Sequence, residues 1–170
     1  ATTASGNETL GFNVNEPDLR LYFVVDGYSN ATSNFTLNVD CPSCAASDSL
    51  SCAANTDSDA TNGPDSIDVF NSYGCSSLDY AGSETVYAFL PATSGSVTVD
   101  LAGMSADLDL LILEAVDGEC DASTCIEDGI SSSSSTESVT FAATAGTTYY
   151  IVVDGWQGGQ SAYNLSMSCN

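Results

Sequence analysis

Two stretches of the chain repeat each other, and that repeat limits the fold more than any other feature. Residues 8–41 read ETLGFNVNEPDLRLYFVVDGYSNATSNFTLNVDC, and residues 137–169 read ESVTFAATAGTTYYIVVDGWQGGQSAYNLSMSC. Phe12 aligns with Phe141, Val24-Val25-Asp26-Gly27 with Val152-Val153-Asp154-Gly155, and Cys41 with Cys169. Tyr28 aligns with Trp156 and Phe35 with Tyr163. One inserted residue near Pro17 keeps the copies in step, and about a third of the aligned pairs are identical. The chain therefore reads as one full structural unit preceded by the end of another.

The pattern inside the unit is β throughout. Val97, Val99 and Leu101 alternate with Thr98 and Asp100, as do Val139, Phe141 and Ala143 with their neighbours, and Tyr163, Leu165 and Met167 with theirs. Residues 84–90 and 107–113 are further strands, and Tyr149–Val153 is an apolar run suited to a central strand buried on both faces. Turn residues separate them at Thr93-Ser94-Gly95, Asp117-Gly118, Ala145-Gly146 and Gly158-Gly159. No stretch carries a helical stripe. The expected fold is all-β, an antiparallel jelly-roll-like β-sandwich, with extra N-terminal strands resembling the end of a second sandwich. Three parts are expected: residues 1–41, a partial repeat of three strands; 42–66, an acidic linker of small polar residues; and 67–170, the complete sandwich.

Composition narrows the function. The 170 residues include 23 acidic and one basic, Arg20, with no lysine or histidine, for a net charge of −22. Nucleic acid and anionic membrane surfaces need cationic side chains, so neither is an expected partner. No apolar run reaches the roughly 20 residues of a membrane span. A serine or cysteine nucleophile would lack its usual base, which argues against an enzyme. Hydrophobic residues make up 43%, enough for one real core. Seven cysteines without histidine point to disulfides and an oxidising, extracellular or cell-surface setting.

The segments SETVYAFLPATSGSVTVDLAGMSADLDLLILEA and ESVTFAATAGTTYYIVVDGWQGGQSAYNLSMSC resemble the bacterial pre-peptidase C-terminal domain. The resemblance covers residues 67–169, with a partial second match over 8–41. It implies a secreted sandwich, usually a non-catalytic appendage of extracellular enzymes or surface proteins. It also implies that calcium, or an insoluble polymer such as collagen, is a ligand of some relatives.

Independently of that resemblance, Asp107 and Asp109 lie two apart on an expected strand, so both project from one face while Leu108, Leu110 and Ile112 enter the core. Two carboxylates about 7 Å apart repel unless a cation lies between them, and calcium takes six to eight oxygens. Asp154 and Asp26, at the ends of the VVDG strands, are further candidates; the plainer alternative is that these aspartates are solvated or accept from turn amides. Asn55-x-Asp57-x-Asp59 copies the start of a calcium loop, but Ala60 stands where glycine is required and Ser66 where a bidentate glutamate is. A flexible acidic segment is the simpler reading there. Cys120 and Cys125 can close a tight loop, Cys52 and Cys75 can staple the entry to the sandwich, and Cys41 and Cys44 form a C-x-x-C, which leaves Cys169 without a partner. Sequons at Asn7, Asn30, Asn34 and Asn164 are candidate glycosylation sites.

Two functions compete. The first is a non-catalytic structural subunit of an extracellular fibre or surface layer, assembling with itself by strand complementation of residues 8–41 and stabilised by calcium. The alternative is a substrate- or polymer-binding accessory module of a larger secreted enzyme or adhesin, with a polysaccharide or protein matrix as partner.

Overall fold

Period-two alternation resolves into nine strands among the described residues of this computed structural model, which describes residues 22–27, 29, 31–37, 44, 46–52, 55–131 and 136–170. They are β1 (Asp48–Leu50), β2 (Asn55–Ala60), β3 (Thr85–Phe89), β4 (Gly95–Ala102), β5 (Leu108–Glu114), β6 (Cys125–Gly129), β7 (Thr136–Ala143), β8 (Tyr149–Gly155) and β9 (Ala162–Cys169). Two sheets form, one of five strands in the order β1-β3-β8-β5-β6 and one of four in the order β2-β9-β4-β7. Every pairing is antiparallel except β1 with β3. The fold is thus the expected all-β sandwich.

The inward faces supply one core. In β4 and β7 the odd-numbered residues Val97, Val99, Leu101, Val139 and Phe141 turn in, and the even-numbered ones face water. Leu108, Leu110 and Ile112 of β5 join them, as their parity predicts. β8 lies at the centre of the five-stranded sheet and is buried on both faces, so its apolar run needs no alternation. Its second face, with Val86, Leu111 and Leu113, packs against Tyr73 and Tyr80. The segment 67–80 that carries these tyrosines is a strap over the outer face of the sheet, joined to it by backbone bridges at Ile67–Glu84 and Tyr80–Trp156.

Three expectations are corrected. The stretch 42–66 is not simply a linker: β1 lies along β3, and β2 pairs with β9 from Asn55↔Met167 to Ala60↔Ala162. β2 has no large apolar residue, and its place at a sheet edge explains why: a polar edge strand resists pairing with other chains. The disulfides also pair differently. Cys44 joins Cys120, Cys75 joins Cys125 and Cys52 joins Cys169, so Cys169 has a partner and no bridge closes the short loop between Cys120 and Cys125. A 3-10 turn over Ala122–Thr124, capped by Asp121, occupies that loop instead. Cys41 lies outside the described residues.

The chain divides into two compact units, residues 1–39 and 40–170. Among the described residues of the first, 22–27 and 31–37 carry no strand, in contrast to the expectation for 8–41, and Tyr22, Val24 and Phe35 are exposed. The turn at Gly27 nevertheless repeats the one at Gly155. In each, the aspartate Oδ1 accepts the glycine N–H, at 2.8 Å for Asp26 and 2.7 Å for Asp154. In each, a Cβ on the glycine would lie 1.8 Å from the carbonyl oxygen four residues on, Ala31 or Gly159. In each, the second residue after the glycine has positive φ, 53° at Ser29 and 49° at Gln157. The repeat seen in sequence therefore extends to backbone conformation.

Candidate functional site

Like charges meet where β5 and β8 pair. Asp109 and Asp154 are directly opposite in the register, and both point to the outer face of the sheet, under the strap. There each meets a tyrosine. The Tyr80 hydroxyl donates to Asp109 Oδ2 at 2.9 Å, and the Tyr73 hydroxyl donates to Asp154 Oδ2 at 2.7 Å. The two rings stack edge to face, 5.1 Å between centroids. Glu84, next to β3, is buried too, and its Oε1 accepts the backbone N–H groups of Val69 and Phe70 at 2.9 and 3.0 Å, which fixes the start of the strap.

Burial dominates the electrostatics of this layer. It pushes the Asp154 carboxyl up to about 7, against the opposing pull of the Tyr73 hydroxyl. It does the same for Asp109, to about 7, with Tyr80 opposing and Asp107 and Glu137 adding to the rise. Glu84 is pushed up to about 7 by burial despite its two backbone donors. The Tyr73 and Tyr80 phenols rise well above their usual range for the same reason, so both are donors at any ordinary pH.

At one end of this layer Asp107 and Asp109 meet Glu137 from β7 of the other sheet, with carboxylate oxygens all within 4.8 Å of one another. Asp107 and Asp109 share a face, as their spacing predicts, and stand closer than expected. Glu137 was not singled out by sequence. It heads the row Glu137, Val139, Phe141, Ala143, and an acid in the inward phase of a strand is the signal that marks it. Burial raises its carboxyl, although Ser131 donates to it. Two shallow hollows flank the trio and share Ile130 and Ser131. One, of about 240 Å3, adds Leu78, Asp107, Asp109 and Trp156; the other, of about 630 Å3, contains Glu137.

The other candidate ligands lie elsewhere. Asp154 has both oxygens engaged, one by Tyr73 and one by the Gly155 N–H. Asp57 and Asp59 are in the extended strand β2, not a calcium loop, and Asp59 accepts from the Tyr87 hydroxyl at 3.1 Å and from the Ala60 N–H at 2.7 Å. Asp26 belongs to the first unit and is exposed. Among the sequons, Asn34 and Asn164 are exposed, while Asn7 and Asn30 lie outside the described residues.

Comparison with known proteins bears on the fold. No curated protein matches the chain significantly. Among solved structures, the pre-peptidase C-terminal domain of a collagenase from Bacillus anthracis matches with a TM-score of 0.50 at 17% identity, covering 76% of this chain and 99% of that domain. A periplasmic inhibitor of g-type lysozyme from Aeromonas hydrophila matches at 0.41 and 17% identity over 71% and 91% of the two chains. The C-terminal CBM6 of a marine laminarinase from Zobellia galactanivorans matches at 0.39 and 18% over 67% and 99%. Residues 83–155, which hold β3 to β8 and with them Glu84, Asp107, Asp109, Glu137 and Asp154, match the model of the bacterial pre-peptidase C-terminal domain family.

Proposed function

We propose that the chain is a non-catalytic accessory module of a larger secreted protein and that it binds an extracellular polymer. The family match at residues 83–155 carries this reading. Three disulfides in the sandwich fit an extracellular location. The side chains that would do hydrolytic work are scarce: there is no imidazole or lysine amine to serve as base. The contact surface is the hollow beside Trp156, whose half-exposed ring stands next to Leu78 and Ile130. A flat aromatic edge beside apolar side chains suits a protein fibre or a neutral polysaccharide. A polyanion is repelled by the net charge of −22.

Co-sedimentation with fibrillar collagen and with an insoluble neutral glucan tests this. Retention of the chain in one pellet, lost in Trp156→Ala, is expected. If the chain stays in the supernatant with both, the reading fails.

A second reading, a self-assembling fibre subunit, is favoured by one observation. Tyr22, Val24, Val25, Phe35 and Leu37 are exposed within a short stretch of the first unit, and exposed apolar side chains gathered in one region are the kind of surface that a partner covers. Filaments of the purified chain under the electron microscope would support it, and dispersed monomers at high concentration would dismiss it.

A further inference from the structure

We propose that Asp107, Asp109 and Glu137 form a site for a hard divalent cation, with calcium preferred to magnesium. This goes beyond the accessory-module reading and does not depend on it. The first observation is the geometry: three carboxylates from two sheets place oxygens within 4.8 Å of one another. Oxygens within 4.8 Å of one another can all stand about 2.4 Å from one calcium ion, whereas magnesium gives up its water reluctantly and demands a stricter octahedron.

The second observation is a buried oxygen with nothing to bind. Asp109 is 1% exposed, and its Oδ1 has no hydrogen-bond donor among the described residues, nor does Asp107 Oδ1. Tyr80 serves only the other oxygen of Asp109, and Ser131 serves Glu137. A buried carboxylate oxygen without a donor loses its hydration with no return. The second unit, residues 40–170, contains no lysine, arginine or histidine, so no side chain within it can supply the missing positive charge. Burial differs usefully across the trio. Asp109 and Glu137 are fixed inside, while Asp107 is partly exposed toward the Trp156 hollow, which leaves a way in for the ion and room for the waters that complete six to eight ligands. Because Asp109 comes from β5 and Glu137 from β7, the bound ion would tie one sheet to the other.

The test uses the full chain stripped with a chelator, then titrated with calcium in a calorimeter and melted with and without it. One calcium per chain is expected, and a rise in Tm of about 5 °C or more once calcium is roughly a hundredfold above its dissociation constant. Magnesium at the same concentration should raise Tm less. Asp107→Asn and Glu137→Gln should each abolish the rise, while Glu119→Gln, an exposed acid elsewhere, keeps it. Stripped Asp107→Asn should melt at or above the stripped wild type, because one member of a repelling trio is gone; a variant that had merely lost its fold would melt below. Terbium offers a second readout on the wild type alone: its emission, sensitised through Trp156, should appear on binding and be displaced by calcium. No binding heat and no Tm shift in the wild type would overturn the proposal. So would an undiminished shift in both variants, or equal shifts with magnesium and calcium in all of them.

Discussion

At the scale of single residues, the outer face of the five-stranded sheet shows what burial does to acids. Asp109 and Asp154 face each other across adjacent strands, where like charges repel, and each is met by a tyrosine donor. The donors do not compensate for lost water, so Asp154 and Glu84 titrate near 7 in the fold rather than near 4. The sign follows from linkage. An acid whose pKa is raised by folding binds more protons in the native state, so stability is greatest below the unfolded pKa and is lost as pH rises toward 7. The chain should therefore unfold at a lower urea concentration at pH 8 than at pH 5, in the absence of divalent cations. Asp154→Asn should flatten the part of this slope that comes from its own carboxyl. A midpoint that climbs steadily from pH 5 to pH 8 would contradict the assignment.

At the scale of elements, the Gly155 turn makes a demand that sequence identity alone does not explain. A Cβ there would stand 1.8 Å from the Gly159 oxygen, and the turn also holds the Trp156 N–H on the Asp107 carbonyl at 3.1 Å. Gly155→Ala must force the turn open and should cost several times more than Gly118→Ala. The latter position has φ of +85° but open space around it, so its cost is only the backbone strain of about 1 kcal/mol. Urea unfolding of the two variants compares them directly.

The same scale shows what could be read in advance. β4, β7 and β9 were legible because a half-buried strand writes its parity into the sequence, and at β5, buried on both faces, the alternation of Asp107 and Asp109 with Leu108 and Leu110 placed the two acids on one face. β8 was legible as an unbroken apolar run. β2 and the strap were not, since an edge strand made of Asn, Thr, Asp and Ser has no apolar phase to detect, and Tyr73 and Tyr80 are seven apart on irregular backbone. Cysteine pairing was hidden for a related reason. Spacing favours near neighbours, whereas the bridges join segments 50 to 117 residues apart that only the folded sheets bring together.

At the scale of the whole molecule, the bridge between Cys52 and Cys169 ties the chain just before β2 to the last residue of β9. It also decides where a mechanical load would travel. A pull applied through the segments before Cys44 and after Cys169 passes along the short backbone from Cys44 to Cys52 and then through sulfur, bypassing every strand from β2 onward. The chain from Cys52 to Cys169, a sequence separation of 117 and roughly 400 Å if drawn out, is held in reserve by a covalent shunt. In single-molecule stretching the oxidised domain should show no long release at any force that leaves covalent bonds intact. After reduction it should yield an extra extension of about 400 Å. A long release from the oxidised chain would mean that the shunt is not closed. A domain loaded in this way behaves as a rigid link in a tether, whose reach is set by the segments on either side and not by the hydrogen bonds of its sheets.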